Sequence, residues 1–111
     1  MQASFIKSTG SPSRIIYGDL PKPKPTGKQV LVKVEAVSVN PIDTYLRSGI
    51  VKMDLPSPYI IGCDLAGEVV AVGPEASRFK KGDLVWGSNQ GFLGRHGTFA
   101  QFAAVEEYLL Y

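Results

Sequence analysis

The 111-residue chain has one cysteine, one histidine and a net charge of only +2, and each scarcity excludes something. A lone Cys63 makes no internal disulfide, and without a Cys-x-x-Cys pair there is no zinc ribbon or thiol redox motif. A reducing, cytoplasmic setting is the default for such a chain. No apolar run approaches the roughly 20 residues of a membrane-spanning helix. The opening MQASFIKSTGSPSR lacks the apolar core and small-residue cleavage site of a secretory leader. No run of Lys or Arg exceeds two residues, which speaks against a nucleic-acid or anionic-membrane partner. Gly-x-Gly-x-x-Gly and phosphate-loop sequences are also missing, so the chain carries no nucleotide fingerprint of its own.

What is present in quantity is glycine (12) and proline (8), which favour many turns and short strands over long helices. The length suits one domain with one real core. MQASFIKS reads as a first strand and SRIIYGDLP as its hairpin partner. PKPKPTGK, residues 21–28, reads as an extended, solvated spacer. QVLVKVEAVSVN is the clearest strand, with Val30, Val32, Val34, Ala36 and Ser38 on the core face. The period then changes at NPIDTYLRSG. Asn40 suits a helix cap, Pro41 the first helical position, Asp43 the first turn and Gly49 the stop, so a helix of about two turns is expected. DLAGEVVAVG, DLVWG and TFAQFAAVE read as further strands. SNQGFLGRHG, rich in glycine, reads as a flexible loop. EEYLLY is either an apolar face meeting another domain or a terminal strand tucked into the sheet.

The segment SPYIIGCDLAGEVVAVG raises the question of a metal, because Cys63 and Asp64 are adjacent. Zinc takes three or four Cys, His or carboxylate ligands. The chain offers Cys63, His96 in a loop, and scattered acids, with no His-x-x-x-His or multi-Asp spacing. Side chains of neighbouring strand residues also point to opposite faces. A small buried cysteine at a loop-to-strand junction accounts for Cys63 without a metal, and an exposed loop histidine accounts for His96.

Taken in order, VLVKVEAVSVNPIDTYLRSG, PYIIGCDLAGEVVAVGPEASRFKKGDLVWG and GTFAQFAAV resemble the N-terminal catalytic domain of the medium-chain dehydrogenase/reductase superfamily. The Asn-Pro helix, then Gly-x-Asp-x-x-Gly, then Lys-Gly-Asp-x-Val form a specific series that covers nearly the whole chain. The zinc-free quinone oxidoreductases, the zeta-crystallin-like branch, are the most similar subgroup. Zinc-dependent relatives place a Cys ligand where this chain has Asn40, and Gly-His-Glu where it has Gly62-Cys63-Asp64. Their four-cysteine structural lobe is absent here too.

The resemblance implies a mainly β, GroES-like, partly open barrel of short strands with one or two short helices, spanning 1–111. It implies a Rossmann NADPH-binding domain after this one, and hydride transfer from NADPH to a small-molecule quinone or enone without zinc. The fragment alone is then expected to be inactive, and the full-length protein to be a homodimer. On the same basis Asn40 would contact the nicotinamide or its ribose. Tyr45 would face the cleft and orient a substrate oxygen or relay a proton, and Arg47 would meet a substrate carboxylate or phosphate. Each has a structural reading beside it: helix capping for Asn40, packing for Tyr45, a salt bridge within the domain for Arg47. Two other functions compete. One is a co-chaperonin-like binding module, with VKMDLPSPYII as its mobile loop. The other is the domain of a zinc alcohol dehydrogenase.

Overall fold

A computed structural model describes residues 1–111. The elements follow in the order β1 (Gln2–Ile6), β2 (Ile16–Asp19), β3 (Gln29–Ala36), α1 (Pro41–Ser48), β4 (Tyr59–Ile60), β5 (Leu65–Val72), β6 (Leu84–Gly87) and β7 (Phe102–Glu106), with single 3-10 turns at Pro12–Arg14 and Glu107–Leu109. They form two antiparallel sheets, β2-β1-β4 and β6-β5-β3-β7. The sheets do not close into a barrel. They are stitched along one seam by the segment before β7. Ser4 N–H donates to Phe99 O at 2.8 Å, Gln101 N–H to Gln2 O at 3.1 Å and Val34 N–H to Gln101 O at 2.9 Å. This is the expected mainly β, partly open architecture.

The strand patterns place the core. Val30, Val32, Leu65, Val69, Val85, Ala103, Val105 and Leu110 pack as one cluster inside the larger sheet. Each of these valines and leucines contributes about 1.5–3 kcal/mol by leaving water. Smaller clusters, Ala3/Phe5/Ile60 and Ile6/Tyr59/Ile61, line the second sheet. Leu110 carries the chain end inward, and Tyr111 N–H pairs with Trp86 O at 2.8 Å, so EEYLLY is tucked against β6.

Three expectations need correction. The strand read as far as Val39 ends at Ala36; Val37, Ser38 and Val39 are exposed, because a register shift opposite Ala66 has already broken the ladder. The proline-lysine segment is not simply solvated. Pro23 and Pro25 are half-buried between exposed lysines, the segment borders Leu31 on the outer face of the sheet, and Lys22 Nζ sits 4.1 Å from the Phe102 ring centroid. The glycine-rich loop is tied down rather than loose: Gln90 N–H donates to Cys63 O at 3.1 Å, Gly91 N–H to His96 O at 3.1 Å and Gly97 N–H to Ile60 O at 2.7 Å.

Candidate active site

The site is built where the exposed tail of β3 turns into α1. Pro41 opens the helix, and its C-cap Gly49 adopts φ 87°, where a side chain would be strained. Asn40 and Asp43 form a capping box whose well-formed half is the Asn40 N–H donating to Asp43 Oδ2 at 2.8 Å. Asn40 Oδ1 leans over the first turn without completing a hydrogen bond to it. Leu46 and Asp43 are buried on the inner face of α1, while Thr44 and Tyr45 are exposed.

The segment Gly62-Cys63-Asp64 comes up against this turn. Gly62 has φ 120°, and a Cβ there would overlap Thr98 Oγ1, the hydroxyl that donates to Asp64 O at 2.8 Å. Only glycine permits this approach, which brings the Asp64 side chain to Asn40. Asp64 Oδ2 accepts Asn40 Nδ2 at 2.8 Å and Ser38 Oγ at 2.9 Å, and Oδ1 accepts Ser88 Oγ at 2.5 Å. Asn40 is therefore held twice, by Asp43 through its backbone and by Asp64 through its amide.

The electrostatics follow. The Ser88 hydrogen bond, helped by those from Asn40, Ser38 and Cys63, outweighs burial and keeps the Asp64 carboxyl below its usual range. Burial raises the Asp43 carboxyl; the Asn40 N–H opposes this, and the Asp64 charge adds to it. Burial, with the Asp43 and Cys63 charges, pushes the Tyr59 hydroxyl up to about 12, so it stays a neutral donor to Gly91 O at 3.1 Å. His96 shows an exposed edge, yet its Nδ1 accepts the Ile60 N–H at 3.3 Å, and desolvation lowers its pKa.

A zinc ion does not fit this donor set. No three His, Cys, Asp or Glu side chains converge. Both Asp64 oxygens are taken, Cys63 is buried with Sγ 3.7 Å from Ser88 Oγ, and His96 Nδ1 is spent on the backbone. Of the two positions aligned with zinc ligands, Asn40 is hydrogen-bonded to Asp64 and Cys63 is buried beside Ser88.

The remaining expected site residues divide. Tyr45 is 44% exposed and its hydroxyl makes no hydrogen bond within the chain. Arg47 makes no salt bridge; its Nη1 donates to Gly10 O at 2.5 Å, an anchor for the first loop. Sequence reasoning read Asp43 only as a first-turn acid, and it missed Ser38, Ser88 and Thr98, which come to Asp64 only in the fold. For Asp64 the signal was present in Gly-x-Asp-x-x-Gly.

A family model, the alcohol dehydrogenase GroES-like domain, matches residues 26–111. The chain belongs to this family. It is an N-terminal domain of the medium-chain dehydrogenase/reductase superfamily, in line with the resemblance seen in its motifs. Human quinone oxidoreductase is 38% identical over 112 residues, covering all of this chain and 33% of that protein. An alcohol dehydrogenase superfamily protein from Novosphingobium aromaticivorans superposes with TM-score 0.87 at 43% identity, covering 99% of this chain and 33% of that one. A mycobacterial protein solved in complex with NADPH superposes with TM-score 0.85 at 35% identity, covering 99% of this chain and 31% of that one. The GroES-like chain thus spans about a third of the length of the curated relatives it matches.

Proposed function

We propose that this GroES-like domain is the catalytic domain of a longer cytoplasmic, NADPH-dependent, zinc-independent reductase of quinones or enones, with a Rossmann domain completing the cofactor site. The observation that carries the reading is the Asn40–Asp64 hydrogen bond at 2.8 Å, which ties down an amide at the position where zinc-dependent relatives carry a Cys ligand. The likeness to quinone oxidoreductases and to an NADPH complex supports the same assignment.

NADPH, when bound, supplies the hydride. This chain's own residues do the rest. Asn40 keeps acceptor capacity at Oδ1 and fits a contact with the nicotinamide nucleoside. Tyr45, exposed and unpaired on α1, is the donor available to a substrate oxygen, replacing the Lewis acid that zinc gives elsewhere. Arg47 keeps guanidinium nitrogens beyond the one bound to Gly10 for an anionic substrate group. The intact protein is a homodimer in this reading.

The test is NADPH oxidation by the intact purified protein with a simple quinone and an enone as acceptors. Acceptor-dependent oxidation is expected. Absence of turnover with either acceptor overturns the assignment and favours a non-enzymatic binding module.

A further inference from the structure

We infer that Asp64 is a positioning residue for the cofactor contact: it locks the Asn40 carboxamide in one of its two flips, so that the domain offers an acceptor to a donor group of the nicotinamide nucleoside. This rests on the function proposed above.

An asparagine side chain is nearly symmetric in shape, and its flip is decided by its partners. Here the partners are unambiguous. An ionised carboxylate only accepts, so the atom 2.8 Å from Asp64 Oδ2 is the amide nitrogen. Asp64 is held ionised by its donors, chiefly Ser88. The second Nδ2 proton faces Ser38 Oγ at 3.4 Å, and Ser38 can accept it because its own proton goes to Asp64 at 2.9 Å. Both amide protons are therefore directed into the domain. Oδ1 faces the Asp43 N–H of the capping box without completing a strong hydrogen bond to it, and its second lone pair stays open as an acceptor.

The carboxylate itself cannot swing away. Its two oxygens are bridged to the end of β3 through Ser38 and to the residue after β6 through Ser88. Its backbone carbonyl is fastened by Thr98, which is fully buried. The Asn40 backbone is fixed independently by Asp43. A carboxamide clamped at both ends is pre-organised, and pre-organisation lowers the ordering cost of the contact it makes. A site with a fixed acceptor discriminates strongly against a ligand whose donor has been removed, since the oxygen is then left unpaired.

Two groups on the nicotinamide nucleoside can donate: a ribose hydroxyl and the carboxamide N–H. Two NADPH analogues separate them, one lacking a hydroxyl of the nicotinamide ribose and one with the carboxamide replaced by acetyl. The intact wild-type enzyme should lose about 10- to 100-fold in kcat/KM with one of the analogues. Asp64→Asn presents both a donor and an acceptor, frees Asn40 to flip, and should shrink that discrimination to a few fold, with the rise carried by KM of NADPH. A variant with lowered kcat/KM but wild-type discrimination overturns the inference and leaves Asp64 as a part of the fold.

A second measurement does not depend on the variant folding or on turnover. In wild-type protein, the Asn40 side-chain amide proton signals should shift as the Asp64 carboxyl titrates below its usual pH range. Signals indifferent to that titration overturn the lock. Wild-type protein that turns over NADPH but discriminates against neither analogue overturns this inference alone. Wild-type protein that fails to bind NADPH overturns the proposed function and this inference with it.

Discussion

Gly67 tests the account of the fold most sharply. It lies in β5 opposite Val34 of β3, just before the register shift that frees the chain to turn toward Asn40. A Cβ at Gly67 would overlap the Lys33 carbonyl oxygen and sit 2.9 Å from Val32 Cγ1. The obstacle is backbone rather than the tip of a mobile side chain, so the strands must part. Overpacking of this kind costs about 1–3 kcal/mol, and the upper end applies when a ladder has to move. At about 4–8 °C per kcal/mol for a domain of around 100 residues, 2 kcal/mol lowers Tm by about 8–16 °C. Gly18 in edge strand β2 is the matched control, because a Cβ there meets Phe5 and Ile16 at 3.8 and 3.9 Å, ordinary contact distances. Gly18→Ala should be neutral or stabilise by about 0.4–1 kcal/mol through the unfolded chain. Urea unfolding followed by Trp86 fluorescence and by circular dichroism measures both. Equal stabilities for Gly67→Ala and Gly18→Ala would refute the argument that close backbone approach requires glycine at 67.

Four further outcomes are expected. Leu110→Ala empties a fully buried position in the main core and should cost about 2–5 kcal/mol in the same urea experiment. Asp43→Asn keeps an acceptor for the Asn40 N–H while removing a charge that burial disfavours, so thermal melts at neutral pH should show it equal to or more stable than wild type; Asp43→Ala strands that N–H and should cost about 1–3 kcal/mol. The folded His96 pKa lies below the usual 6.5, so the neutral ring is the stabilising form. Its contribution is complete above pH 6.5 and is lost as pH falls through the folded value, which melts of wild type and His96→Gln across that window will show. The same sign holds for Asp64 below its usual 3.8. In the intact enzyme, Tyr45→Phe should leave Tm unchanged, because the hydroxyl has no partner in the chain, and should lower kcat by about 100-fold or more.

Much of the fold was legible because its signals are local. The caps of α1 are written as Asn-Pro at one end and glycine at the other, and alternation marked Val30 and Val32 as core. Boundaries failed where tertiary pairing overrode pattern. Val37 and Val39 continue the alternation of β3, but no neighbour remains to pair them. The Pro-Lys segment lacks apolar periodicity, yet it lies beside the buried Leu31 of β3, a tertiary contact that leaves no local pattern. At the site, Asn40 and Tyr45 could be named from the motif. The partners that set Asn40's orientation could not, because Ser38, Asp64 and Ser88 flank β3, β5 and β6 and converge only when these three strands pair in one sheet. Hydroxyls and carboxylates leave no periodic trace that would reveal such a meeting.

The most direct test of the central claim is the metal content of the active intact enzyme, taken together with its NADPH-dependent quinone reduction before and after dialysis against a strong chelator. The Asn40–Asp64 site predicts no stoichiometric zinc and unchanged turnover. One tightly held zinc per chain, with activity lost on its removal and restored on its return, would contradict the account.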